Sequence, residues 1–271
     1  MKIINPESPL FGSFWEVFAC GFIVSYGLVC QPHILTKSLY LRSDRDHTKY
    51  LVVAGVVGTT FTLMLVVGLW ARVLYPDIPS QDAVIAVYIA KTFSPYIGAL
   101  VSVALLAAGM STMDGLLVSA STIAGNDLFL GALGDRLMPQ ASRDEREQAA
   151  LRASRIIIVL MGVVAFWLAV DPPELVGLFA MMGVYGVVCA SVVPMTFGIM
   201  SRAPSRTGVI VASVVGPAIH FVHYTWVFYG QGQFINPAVT ATEGVLASLA
   251  IYGVVGWLER APVQSSASAP E

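Results

Sequence analysis

The chain predicts an all-α, polytopic membrane protein with about seven transmembrane helices. Three observations carry that reading. Of 271 residues, 56% are hydrophobic and 12% charged, with mean hydropathy +0.74; an average soluble domain is about 25% charged. The apolar residues come in blocks long enough to cross a hydrocarbon core of about 30 Å. The basic residues alternate sharply from loop to loop.

Seven spans are expected at about 14–35, 50–71, 96–124, 156–170, 174–200, 207–228 and 242–258, the fourth starting nearer Leu151. They make a membrane domain over 14–258, preceded by an external segment, 1–13, and followed by a disordered cytoplasmic tail, 259–271. Lys37, Arg42, Arg45 and Lys49 lie between spans one and two. Arg136, Arg143, Arg146, Arg152 and Arg155 lie between three and four, Arg202 and Arg206 between five and six, and Arg260 after seven. That puts 12 of the 15 Lys and Arg on one side, leaving Lys2, Arg72 and Lys91 on the other. The basic side is cytoplasmic by the positive-inside rule, so the N-terminus is expected outside and the C-terminus inside.

A net charge of −2 gives no support to nucleic-acid binding. Cys20, Cys30 and Cys189 all fall within apolar spans and read as free core residues, and no zinc spacing exists. The start, MKIINPESPLFG, lacks a basic region before an apolar run, so no cleavable signal peptide is expected.

Span one is interrupted. Gly21, Gly27 and Pro32 lie inside it, with Gln31 and His33 beside the proline and Glu16 near the outer end. Proline removes one backbone donor and clashes with the preceding turn. Freed carbonyls with Gln31 and Tyr26 suit a substrate cavity, as broken transporter helices do; an ordinary kinked helix fits the same residues. Span two offers a small-residue face at Gly55, Gly58, Thr59 and Thr60. The loop after it holds a weakly amphipathic stretch from Gln81 to Lys91.

Span three is the most informative. Leu105 to Phe129 is apolar enough to cross a bilayer, yet carries Ser111, Thr112, Asp114, Ser119, Ser121, Thr122 and Asp127. Lipid cannot solvate these groups, so those at depth must face protein, water or an ion. Oxygen donors without Cys or His suit a hard cation such as Na⁺. Ala108, Ser111, Thr112, Gly115, Ser119 and Thr122 share one helical face, and Asp114 lies about 60–100° round from it. Small-residue packing explains the same stripe without an ion.

Between Gly131 and Leu151, Ser142 stands in a cap position with Glu145 three residues on. DPPE, Asp171 to Glu174, reads as a tight outer turn into span five, which holds Tyr185, Ser191, Pro194 and Thr196. Span six carries Pro217, His220 and His223. With no third ligand in sight, the histidines read as part of an outer aromatic belt with Tyr224, Trp226 and Tyr229. Catalysis has no support: Asp114 and Asp127 are too far apart on one helix, and no Ser–His or metal spacing exists.

Two segments resemble the sodium/solute symporter family. GLVCQPHILTKSL, Gly27 to Leu39, resembles its G-x-x-x-Q-P-H-x-L helix. AAGMSTMDGLLVSASTIAGNDLF, Ala107 to Phe129, resembles its A-A-x-M-S-T segment with a following D-L-[FY]. A weaker similarity runs through DPPELVGL and VVPMTFGIMSRAPSRTGVIVASVVG, and DPPE with INPAV leans toward the sodium/pantothenate branch over the sodium/proline branch. The resemblance implies the second repeat of a five-plus-five inverted-repeat fold plus two extra helices. It implies a Na⁺ site using the Ala108 carbonyl and the Ser111 and Thr112 hydroxyls, and substrate contact around Gln31 and Pro32, to which the reading of span one adds Tyr26. Val24 and Leu28 stand where the proline-transporter pattern has large aromatics, which argues against proline as substrate.

The function implied is Na⁺-coupled symport of a small organic solute, with a carboxylate expected, across the cytoplasmic (inner) membrane, and no enzyme activity. The family's first repeat has no counterpart here. The chain therefore reads as a truncated or split product, or a fragment of a longer chain, whose transport needs either a polypeptide that supplies the missing repeat or a longer reading frame. The alternative is a non-transporting fragment or membrane scaffold subunit.

Overall fold

The computed structural model describes residues 4–8, 10–35, 40–78, 80–172 and 175–260, with only the backbone of Pro32, His33, Ala132, Leu133, Asp135 and Arg260. Among them there is no strand. The helices are α1 (Cys20–Val29), α2 (Pro32–Leu35), α3 (Asp44–Leu74), α4 (Val84–Thr92), α5 (Pro95–Thr122), α6 (Gly134–Leu137), α7 (Arg143–Val170), α8 (Val176–Met200), α9 (Arg206–Thr225) and α10 (Pro237–Arg260). Wider π-helical turns precede α1 at Trp15–Ala19 and continue α5 at Ile123–Leu133 and α9 at Trp226–Gly230. Six helical stretches are long and apolar enough to cross a membrane: Asp44–Leu74, Pro95–Gly131, Arg143–Val170, Val176–Met200, Arg206–Gly230 and Pro237–Glu259. The shorter Trp15–Val29 is a seventh apolar helix.

All seven expected spans are thus helical over most of their length, and several helices run further. α7 starts at Arg143, well before Leu151, because Ser142 and Glu145 form a capping box there. The Ser142 hydroxyl accepts from the Glu145 amide at 3.3 Å, and the Glu145 carboxylate accepts from the Ser142 amide at 2.8 Å. The stretch from Gln81 to Lys91 is helical from Val84. Pro173 and Glu174 of the DPPE turn, Lys37 and the tail beyond Arg260 lie outside the described residues.

The chain divides into two compact units, Met1–His47 with Leu175–Glu271, and Thr48–Glu174. In the first, α8, α9 and α10 pack on one another and α1 lies against α8 and α10. Its core is Cys20, Val24, Cys30, Val188, Cys189, Val192, Ala238, Ala241 and Val245. Glycines set the helix spacing: a Cβ on Gly27 would stand 2.2 Å from Val188 Cγ1, and one on Gly244 would stand 2.6 Å from the Gly216 carbonyl oxygen. In the second unit α5 and its π extension pack on α7, closest at Gly125, where a Cβ would meet Ser154 Oγ at 2.0 Å and the Ala150 carbonyl at 2.7 Å. The loop after α3 is tied down by Arg72, which donates to the Ile78 carbonyl at 2.7 Å, and by Lys91 over the Tyr75 ring at 5.1 Å.

Candidate functional site

The interruption in the first apolar segment falls at Cys30 and Gln31, between α1 and α2. Its cause is Pro32. In an unbroken helix the Leu28 carbonyl would accept from residue 32, and proline has no N–H to give. The Gln31 amide donates to that carbonyl instead, at 3.2 Å, and a new turn starts in which Ile34 and Leu35 donate to the Gln31 carbonyl at 3.0 and 3.1 Å.

Two side chains fasten this break to α8. Gln31, only 3% exposed, donates from Nε2 to the Val184 carbonyl at 3.2 Å. The Tyr26 and Thr196 hydroxyls hydrogen-bond at 2.8 Å. Tyr26 is half exposed, and the side chain of Pro32 lies outside the described residues. Gln31 and Tyr26 are therefore brought onto one neighbouring helix, α8.

The other candidate set lies on α5, in the second unit. Ala108, Ser111 and Thr112 are all exposed, on a face that no helix of that unit covers. The Thr112 hydroxyl donates to the Ala108 carbonyl one turn back, at 3.1 Å. Thr122 does the same to Val118 at 2.7 Å, as do Thr59, Thr60 and Thr62 on α3. Such back-bonds keep a hydroxyl satisfied in an apolar medium while its lone pairs stay available. A carbonyl and two hydroxyls, with no Cys or His beside them, are the donor type that hard cations take. Ser121, also on this helix, is buried and donates to the Val118 carbonyl at 3.0 Å, so it serves packing.

Some polar groups take other roles than their positions suggest. The Glu16 carboxylate accepts from the Gly12 and Ser13 amides at 2.7 and 3.2 Å. His223 pairs with Glu243 at 2.5 Å, whereas His220 is fully buried between α8 and α10, so the two histidines do not act together. Sequence reasoning missed this core role of His220 and the Asn236 link, whose Nδ2 donates to the Leu10 carbonyl at 2.7 Å. The only signal was a strongly polar residue inside an apolar run. A cavity of about 470 Å³ lined by Ser205, Tyr252, Trp257 and Glu259 contains none of the candidate residues.

Comparison with known proteins adds to this geometry. The sodium/pantothenate symporter of Haemophilus influenzae is 23% identical over 205 residues, covering 75% of this chain and 40% of that protein. The sodium/pantothenate symporter of Escherichia coli K12 is 25% identical over 229 residues, covering 82% of this chain and 45% of that protein. The chain spans less than half the length of these curated relatives. No solved structure gives a significant match. The profile of the sodium:solute symporter family matches residues 2–216, most of the chain. With its apolar helices, its QPH break and its A-A-x-M-S-T segment, this polytopic chain belongs to the sodium:solute symporter family.

Proposed function

We propose that this chain forms the second half of a Na⁺-coupled symporter for a small, carboxylate-bearing solute in the cytoplasmic membrane. The observation that carries this reading is the break at Gln31 and Pro32, held against α8, in a chain of this family. Broken helices expose backbone groups to solute and ion where irregular backbone is otherwise excluded from the membrane. In this reading Tyr26, Gln31 and Pro32 meet the solute, and the Ala108 carbonyl with the Ser111 and Thr112 hydroxyls holds Na⁺. Both curated relatives are named for pantothenate, which favours an organic anion here. The distribution of Lys and Arg favours an external N-terminus and a cytoplasmic C-terminus.

The exposed face of α5 calls for a covering surface, and a polypeptide supplying the first repeat is the partner we propose for it. Coupling requires each ligand to bind better when the other is bound. The test is Na⁺-dependent uptake by this chain produced with a six-span first half. Ser111→Ala and Thr112→Ala are expected to weaken Na⁺ activation; unchanged activation in both refutes the assignment. A non-transporting scaffold is the second reading, since the α5 hydroxyls are satisfied by their own helix carbonyls without an ion. Sodium-dependent uptake by the chain alone excludes it.

A further inference from the structure

We infer that His220 is a positioning residue for the helix break, acting on Gln31 through the backbone of α8. His220 has no exposed surface. Its Nε2 lies 3.0 Å from the Met182 carbonyl on α8, and its Nδ1 lies 2.8 Å from the Thr240 hydroxyl on α10. A carbonyl only accepts, so Nε2 carries the hydrogen; in the neutral ring Nδ1 then accepts, and the Thr240 hydroxyl gives it the one hydrogen that the Pro237 carbonyl, at 3.1 Å, would otherwise take. The ring thus joins three helices with both nitrogens satisfied.

Met182 is two residues from Val184, whose carbonyl receives Gln31. Positions two apart stand about 200° apart round a helix, on nearly opposite sides. One turn of α8 is therefore gripped by His220 from one side and by Gln31 from the other. A buried imidazole is costly in an apolar core unless both its nitrogens are hydrogen-bonded, as they are here. Here it fixes the rotation and height of the turn on which the break rests. The tight Gly216–Gly244 crossing holds α9 and α10 together, so the imidazole projects from a stiff pair onto α8.

The inference rests on the proposed role of the break, but its test does not require transport. The native cysteines are the reporters: Cys30 borders Gln31, while Cys20 and Cys189 are buried elsewhere in the same core. The full chain in lipid nanodiscs is reacted with N-ethylmaleimide, and each cysteine is followed by mass spectrometry. His220→Phe keeps an aromatic ring but removes both bonds. It is expected to raise Cys30 labelling about tenfold, the factor for losing a buried hydrogen bond from a local opening equilibrium, with Cys20 and Cys189 unchanged. Gln31→Met should give the same pattern, and the double variant no more than either alone. His220→Gln, which can still donate to Met182, should restore protection. If His220→Phe does not fold, Thr240→Val, which removes the Nδ1 donor together with the hydroxyl's contact to the Pro237 carbonyl of its own helix, decides in its place through the same rise at Cys30. Cys30 labelling at the wild-type rate, or all three cysteines rising together, overturns the inference. Failure of Na⁺-dependent uptake with normal cysteine coupling would instead count against the transport reading.

Discussion

The Thr112 hydroxyl donates to the Ala108 carbonyl at 3.1 Å, so two of the three oxygens proposed for Na⁺ already touch one another. The bond has a physical consequence for ion binding. A cation approaching both oxygens must compete with the hydroxyl hydrogen for the carbonyl's free lone pair. Thr112→Ser keeps the oxygen and should leave Na⁺ dependence close to wild type. Thr112→Val removes it, and the Na⁺ concentration for half-maximal uptake should rise about tenfold, equivalent to roughly 1.4 kcal/mol of lost ion binding. Identical Na⁺ titrations for the two variants, measured with the first half present, would count against this ligand.

Gln31 should matter to stability as well as to solute affinity. Gln31→Met keeps the volume but loses the bond to Val184, whose carbonyl retains its helical partner. A loss of about 1 kcal/mol is expected in thermal unfolding of the purified chain in detergent. Gln31→Glu should cost more, because a carboxylate would then face a carbonyl with no proton between them. Equal melting temperatures for the two variants would contradict the geometry.

Gly27 should tolerate no side chain unless α8 gives way. Its Cβ position lies 2.2 Å from Val188 Cγ1 and 3.0 Å from Val192 Cγ2. Gly27→Ala is expected to cost about 1–3 kcal/mol as overpacking. Val188→Ala in the same chain should recover part of that loss, giving a non-additive double-mutant cycle. Strict additivity would mean that α1 and α8 do not meet there.

Gly244 tests a harder contact. Its Cβ would stand 2.6 Å from the Gly216 carbonyl oxygen, and a backbone atom cannot rotate aside as a valine methyl can. Gly244→Ala should therefore lower the melting temperature more than Gly27→Ala. The reverse order would overturn this account of the α9–α10 crossing.

The start of α7 offers a test away from the apolar core. Ser142→Ala removes the hydroxyl that accepts from the Glu145 amide. Hydrogen exchange in the first turn of α7 should accelerate about fivefold, in line with a typical cap. Exchange near Phe166 should not change, because a cap acts within its own turn.

Much of the architecture was legible in the residues themselves. The apolar blocks marked the long helices, since burying backbone polar groups in lipid leaves few alternatives to a helix, while the short α4 and α6 lie outside them. Pro32 marked the break, because its missing N–H acts locally whatever surrounds it. Ser142 and Glu145 marked a helix start for the same reason. The long reach of α7 was obscured because its first turns are polar, and hydropathy reports membrane depth rather than helix length.

What the sequence by itself determined is therefore the local part: helices, their interruption, the oxygen-rich turn at Ala108 to Thr112, and the family. Tertiary structure alone decided which backbone carbonyl receives Gln31, that His220 joins α8 to α10 while His223 turns to Glu243, and which glycines set the helix spacing. The hydrogen bonds among these join groups 20 to 153 residues apart in the chain. Periodicity assigns a residue to a face of its own helix, and it carries no information about which other helix, at what height, packs against that face.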